Sequence, residues 1–120
     1  MLWKKAFKTT IDGVQYDELH SAALSVSNDL LFAGSLRGKV RALRTLDGAE
    51  LWSFDTNIPL TDVDGETGKG GTIDSVGPIP AGADLYVNSG YGTFGNSSVW
   101  QAGYGNALFV FRLKPWQLNA

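Results

Sequence analysis

The sequence is that of an all-β protein, and three features say so. Short runs of branched and aromatic residues recur along its 120 residues. Turns containing Gly or Asp separate the runs, and no stretch of ten or more residues repeats its apolar positions at helical spacing. The clearest series begins with Leu30-Leu31-Phe32-Ala33-Gly34-Ser35. Gly38 turns the chain into Val40, Ala42 and Leu43, and Leu46-Asp47-Gly48 turns it again before Leu51-Trp52-Ser53-Phe54. Alternating runs joined by short glycine turns form an antiparallel meander.

Taken in order, Leu2-Trp3-Lys4-Lys5-Ala6-Phe7 alternates apolar and charged residues and predicts a half-exposed strand. It echoes Leu51-Trp52-Ser53-Phe54, so both read as the outer strand of a four-stranded sheet. Residues 10–18 are polar and punctuated by Asp12-Gly13, which predicts a connection. Strands follow near 21–26, 30–35, 39–44 and 50–54, and make one complete sheet over 21–54. Residues 57–69 form a long polar link containing Pro59, Asp62, Asp64, Gly65, Glu66 and Gly68. A second series over 73–113 has strands at 75–79, 85–89 and 107–113 and a turn at 80–83. Pro115 then breaks any continuing ladder.

Composition narrows the function classes. A 43% hydrophobic and 18% charged chain is globular, and one long enough for a single core. A net charge of −2 argues against nucleic-acid or acidic-membrane partners, which need a basic excess. Lys4, Lys5 and Lys8 read as a solvated strand edge. The absence of cysteine excludes disulfides, thiolate metal sites and covalent c-type haem. The basic start leads into Phe7-Lys8-Thr9-Thr10, so no signal peptide is expected, and no run approaches the ~18 apolar residues of a membrane-spanning helix.

The stretch from Ala42 to Trp52 resembles the tryptophan-docking repeat of the quinoprotein dehydrogenase β-propellers, Ala-x-Asp-x-x-Thr-Gly-x-x-x-Trp. Ala42, Gly48 and Trp52 match it as blade-docking residues, while Arg44 replaces the Asp and Asp47 the Thr. The fold expectation is therefore four-stranded blades of a β-propeller, about two blades per chain. The distance from Leu30 to Leu85 slightly exceeds the ~40–50 residues of known blade repeats, the excess lying in the link. Leu31-Phe32-Ala33-Gly34-Ser35, Leu51-Trp52-Ser53-Phe54-Asp55-Thr56, Gly70-Gly71-Thr72-Ile73-Asp74, Asn88-Ser89-Gly90-Tyr91-Gly92 and Gly105-Asn106-Ala107-Leu108-Phe109-Val110-Phe111 resemble, in this order, the C-terminal blades of polyvinyl-alcohol dehydrogenases. That resemblance implies a bacterial, periplasmic, eight-bladed propeller that oxidises alcohols with pyrroloquinoline quinone and calcium. In the family, the quinone, calcium and catalytic aspartate are held by preceding blades. No residue here matches those motifs, so no catalytic, cofactor-binding or metal residue is assigned.

The strand count carries an expectation about assembly. One outer strand, a full sheet and three further strands are two blades cut out of phase. A closed ring needs about 4–8 blades, so several copies are expected to join head to tail. Leu2, Trp3 and Phe7 lie on the inter-subunit strand, each copy completing its neighbour's second blade. Three copies would give six blades and four would give eight, by a heterologous contact that must close or grow into a filament.

Other candidate sites are weaker. Asp62, Asp64 and Glu66 hint at a calcium loop, but the acidic spacing is incomplete and a solvated link is favoured. Gly68-Lys69-Gly70-Gly71-Thr72 lacks the first glycine and the helix of a phosphate loop. His20 reads as structural, since no nucleophile elbow accompanies it. The glycine-rich loop over 90–105, with Tyr91, Phe94, Trp100 and Tyr104, is the best candidate for a ligand or subunit contact. The functional expectation is a non-catalytic binding or structural unit completed by homo-oligomerisation. The alternative is a quinone-dependent alcohol dehydrogenase, active as an oligomer or with a partner chain.

Overall fold

A computed structural model describes residues 2–20, 22–73, 77–90, 105–112 and 114, apart from the Ile11 side chain. Among these residues the regular structure is strand throughout. The chain opens with a hairpin of β1 (Lys8–Ile11) and β2 (Val14–Asp17), closed by Asp12 and Gly13 at φ 52 and 79. Two consecutive positive φ values define the turn whose twist suits a two-residue hairpin, and Asp-Gly is a favoured pair for it. The polar connection expected over 10–18 is thus corrected to a hairpin, because turn chemistry outweighed the lack of apolar alternation.

The first full sheet contains β3 (Ser25–Ser27), β4 (Leu30–Gly34), β5 (Lys39–Arg44) and β6 (Glu50–Asp55), in chain order and antiparallel. A bulge after Ala42 shifts the register, so that Ala42 faces Trp52 and Leu43 faces Glu50. The polar link folds into a second small hairpin, β7 (Pro59–Thr61) and β8 (Thr67–Lys69). The last sheet has β9 (Ile79–Ala81), β10 (Asp84–Ser89) and β11 (Ala107–Arg112) in the order β11-β10-β9. Its first turn is tighter than expected: Pro80 and Ala81 belong to β9, and Gly82 at φ 62 carries the reversal.

Residues 2–7, expected as a strand that completes a neighbour's sheet, belong to no strand among the described residues of the single chain, where only the Phe7 carbonyl accepts a backbone N–H, that of Glu18, at 2.8 Å. Alternation makes a strand only where a ladder partner exists, and here the segment lies across the first sheet as a strap.

The two larger sheets pack face to face. Leu30, Phe32, Val40 and Ala42 of the first sheet meet Leu85 and Val87 of the second, with Ile73 buried among them. Gly34 lies so close to Ile73 that a Cβ there would collide with its branched side chain. Aromatic rings close the outer rim, with Trp52 edge-on to Phe111 at 4.9 Å and Phe54 tilted against it at 5.0 Å. The opposite face of the first sheet, with Leu31, Ala33, Arg41 and Leu43, lies under the strap and His20.

Ile73 has no exposed surface, so truncation leaves a void between rigid sheets. Ile73→Ala should cost about 2–5 kcal/mol of stability. Urea denaturation should show this as a lower midpoint with an unchanged slope.

Candidate functional site

Of the docking residues read from the sequence, Gly48 alone lies on this strapped face. Gly48, at φ 76, lies against the Trp3 indole, and a Cβ would reach within 2.7 Å of a ring carbon. The Trp3 indole N–H donates to the Thr45 carbonyl at 2.7 Å, and the Lys5 ammonium donates to the Gly48 carbonyl at 2.8 Å. The turn between β5 and β6 is therefore a socket for a tryptophan from outside its own sheet. Ala42, buried, and Trp52 face the other way, toward the second sheet.

The two departures from the repeat pattern compensate one another. Arg44 Nε and Nη2 donate to the two Asp47 carboxylate oxygens at 2.8 and 2.6 Å, and Asp47 also accepts the Ala49 N–H at 3.0 Å. The Arg44 hydrogen bonds, then that of Ala49, hold the Asp47 carboxyl down at about 2. The turn is fixed by an ion pair where the repeat places Asp and Thr.

Beneath the strap lies a buried charge cluster. Arg41 Nη1 and Nη2 donate to Glu18 Oε1 and Oε2, both at 3.0 Å, and Arg41 Nε donates to Glu50 Oε1 at 2.9 Å. The Arg41 and Glu18 side chains are 4% and 2% exposed, so each charge depends on the other for solvation. The guanidinium also sits 4.1 Å from the centre of the Phe7 ring. Burial raises the pKa of Glu18, but the hydrogen bonds from Arg41 and Ser35 and the charge of Arg41 together bring it below the ordinary value. His20, its ring tilted 5.6 Å from that of Phe7, is pushed down by burial and then by Arg41, against a smaller opposing effect of Glu18. Its buried Nε2 has no hydrogen-bond partner among the described residues. A cavity of about 280 Å³ separates strap from sheet, walled by Leu24, Leu31, Ala33 and Leu43 on one side and Trp3, Phe7 and His20 on the other.

A second polar cluster ties the two sheets. Thr56 Oγ1 donates to the Gly38 carbonyl at 2.5 Å and lies 2.7 Å from Ser89 Oγ. Ser89 Oγ accepts the Gly71 N–H at 2.7 Å and donates to the Gly71 carbonyl at 2.9 Å. Thr72 Oγ1 donates to the Leu36 carbonyl at 2.7 Å. The stretch over 68–72 is thus a thread between sheets, with the Gly71 amide bonded within the protein and not turned toward a phosphate. Asp62 Oδ1 accepts the Asp64 and Glu66 N–H groups, both at 2.9 Å, and organises the tip of the β7–β8 hairpin. Among the described residues no three His, Asp or Glu side chains converge. Tyr91, Phe94, Trp100 and Tyr104 lie outside the described residues. Sequence reading missed Glu18, Arg41, Thr56 and Ser89. The one signal was Arg41, a charge set between the apolar Val40 and Ala42 within a strand.

Fold and socket together define an all-β chain of blade-like antiparallel meanders docked by tryptophan. More particularly, the chain is similar to polyvinylalcohol dehydrogenases, as its ordered motifs suggest. It is 38% identical over 94 residues to the polyvinylalcohol dehydrogenase of a Pseudomonas species, a match that covers 76% of this chain and 15% of that protein. It is 42% identical over 72 residues to that of Sphingopyxis sp. strain 113P3, over 59% of this chain and 11% of that protein. The chain therefore spans a small part of the length of these relatives. No protein-family model and no solved structure matches it.

The cluster makes stability pH-dependent in a definite direction. A depressed Glu18 pKa contributes stability above the ordinary glutamate value of about 4.3 and loses it as pH falls through the folded value. A depressed His20 pKa acts likewise below about 6.5, because the unfolded chain takes up that proton first. Thermal unfolding should weaken in two steps on acidification, and His20→Gln should remove the upper step alone. Glu18→Gln leaves Arg41 without its buried carboxylate and should cost about 3–5 kcal/mol at neutral pH by chemical denaturation.

Proposed function

We propose that the chain is a non-catalytic structural and binding unit of a quinoprotein-type β-propeller, completed by joining further copies of itself. One observation carries this reading. Among the described residues β11 is an edge of the second sheet, while residues 2–7, docked by their tryptophan, have an outer-strand pattern and, beyond the Phe7 carbonyl that accepts the Glu18 N–H at 2.8 Å, no backbone partner strand. Three or four copies linked head to tail would supply each second sheet with its fourth strand and close six or eight blades. The buried polar side chains support the same reading. Glu18, Arg41, Thr56 and Ser89 are engaged in holding strap to sheet and sheet to sheet.

Light scattering should give three or four times the 12.9 kDa of one chain, and deletion of residues 2–7 should reduce it to one. A wild-type monomer at every concentration would rule the ring out. The similarity to named dehydrogenases favours a second reading, alcohol oxidation with pyrroloquinoline quinone in an assembled or partnered form. Added quinone and calcium should produce neither an absorbance shift nor alcohol-dependent dye reduction; either response would establish the second reading instead.

A further inference from the structure

The two larger sheets are built alike, so the contact inside the chain is a template for one outside it. Ser27 pairs with Leu30 across a two-residue turn as Ala81 pairs with Asp84, which aligns β4 with β10 and β5 with β11. Phe32 opposite Ala42 then corresponds to Tyr86 opposite Val110, and Gly34 opposite Val40 to Asn88 opposite Leu108. In the first sheet, Phe32, Val40 and Ala42 form the front, buried against the second sheet. In the second sheet the corresponding front is bare: Tyr86, Leu108 and Val110 are 38%, 60% and 53% exposed, with Ile79, paired to Tyr86, beside them.

The backs correspond as well. Leu85, Val87, Phe109 and Phe111 receive the first sheet, and their counterparts Leu31, Ala33, Arg41 and Leu43 line the strapped face. Trp52 and Phe54 of β6 lie against Phe111 and Phe109. Trp3 and Phe7 of the strap sit in the same way beside Leu43 and over Arg41, the counterparts of those phenylalanines. The strap occupies, on the back of the first sheet, the place that β6 takes on the back of the second. The cavity beneath it, edged by the exposed Leu24, is the space beside that strand.

We infer that the bare front of the second sheet, Ile79, Tyr86, Leu108 and Val110, docks on the back of the first sheet of another copy, beside the strap, at the exposed Leu24 and the half-buried Leu31. The incoming β11 then pairs along the receiving copy's own strap. This rests on the ring-forming reading above and specifies its surfaces. The occupant is a second copy because the docking front is the counterpart of one that already seats on such a back within this chain. The strap stays on its own first sheet, so copies join without unfolding either.

Val110→Glu damages only the front and Leu24→Glu only the back, and both side chains are exposed in the single chain, so folding should be unchanged by circular dichroism. Each variant alone should have the mass of one chain, since a heterologous contact needs both surfaces. Their equimolar mixture should give a dimer and nothing larger, because one good front meets one good back. Wild-type assembly that persists unchanged in both variants would overturn these surfaces and leave the ring reading standing. Wild type that stays monomeric would overturn both.

Discussion

A β-meander has two faces, and in this chain each larger sheet can cover only one of its own with the other. That contact centres on Ile73, which has no exposed surface and lies against the bare backbone of Gly34. The close approach is possible because Gly34 carries no side chain, and the approach in turn brings Phe32, Val40, Leu85 and Val87 into one apolar layer. A side chain at Gly34 would push Ile73 outward and part the sheets. The rim aromatics would then lose the edge-on and tilted contacts that make their stacking specific. Thr56 and Ser89 link the same two sheets through polar bonds that have nowhere else to go once buried.

The face left over explains the rest of the architecture. The back of the first sheet carries Leu31, Ala33 and Leu43 with Arg41 and Glu50 among them, and Arg41 is the device that holds its cover in place. Its planar fork meets both oxygens of Glu18, its Nε reaches Glu50, and its face receives Phe7. A lysine could supply the charge but not this simultaneous geometry. The strap thus reaches the sheet through a ring on a guanidinium, an ammonium on the Gly48 carbonyl and an indole set in the Gly48 socket, and Glu18 beyond the hairpin adds its carboxylate.

Much of this could be read from residues alone, and the exceptions have physical reasons. The four strands of the first sheet were legible because glycine turns bracket runs of period two. Gly48 and Trp52 were legible because their spacing from Ala42 is that of a known docking repeat. The β1–β2 hairpin was not, since its strands face water and show little apolar alternation; the Asp12-Gly13 pair was its only mark. The strap misled in a different way. Its alternation is that of a strand, but strand formation depends on a neighbouring edge, which the segment itself does not carry. Ser89 and Thr56 were invisible because a hydroxyl in a strand announces nothing until its burial is known. The similarity to polyvinylalcohol dehydrogenases fits the ordered motifs and reaches only a small part of those proteins.

The docking of Trp3 and Phe7 has a thermodynamic consequence for anything that pairs with the strap. A free peptide that joins a sheet edge gives up roughly 1–2 kcal/mol of backbone freedom per residue at the moment of pairing. Here much of that loss occurs when the chain folds, offset by the Arg41 cluster and the indole socket. An edge strand arriving from another copy, as proposed, would meet a partner that is already ordered. In the proposed assembly such preorganisation would leave more of the ladder's hydrogen bonding to appear as affinity, and would tie the strength of association to the integrity of one buried guanidinium.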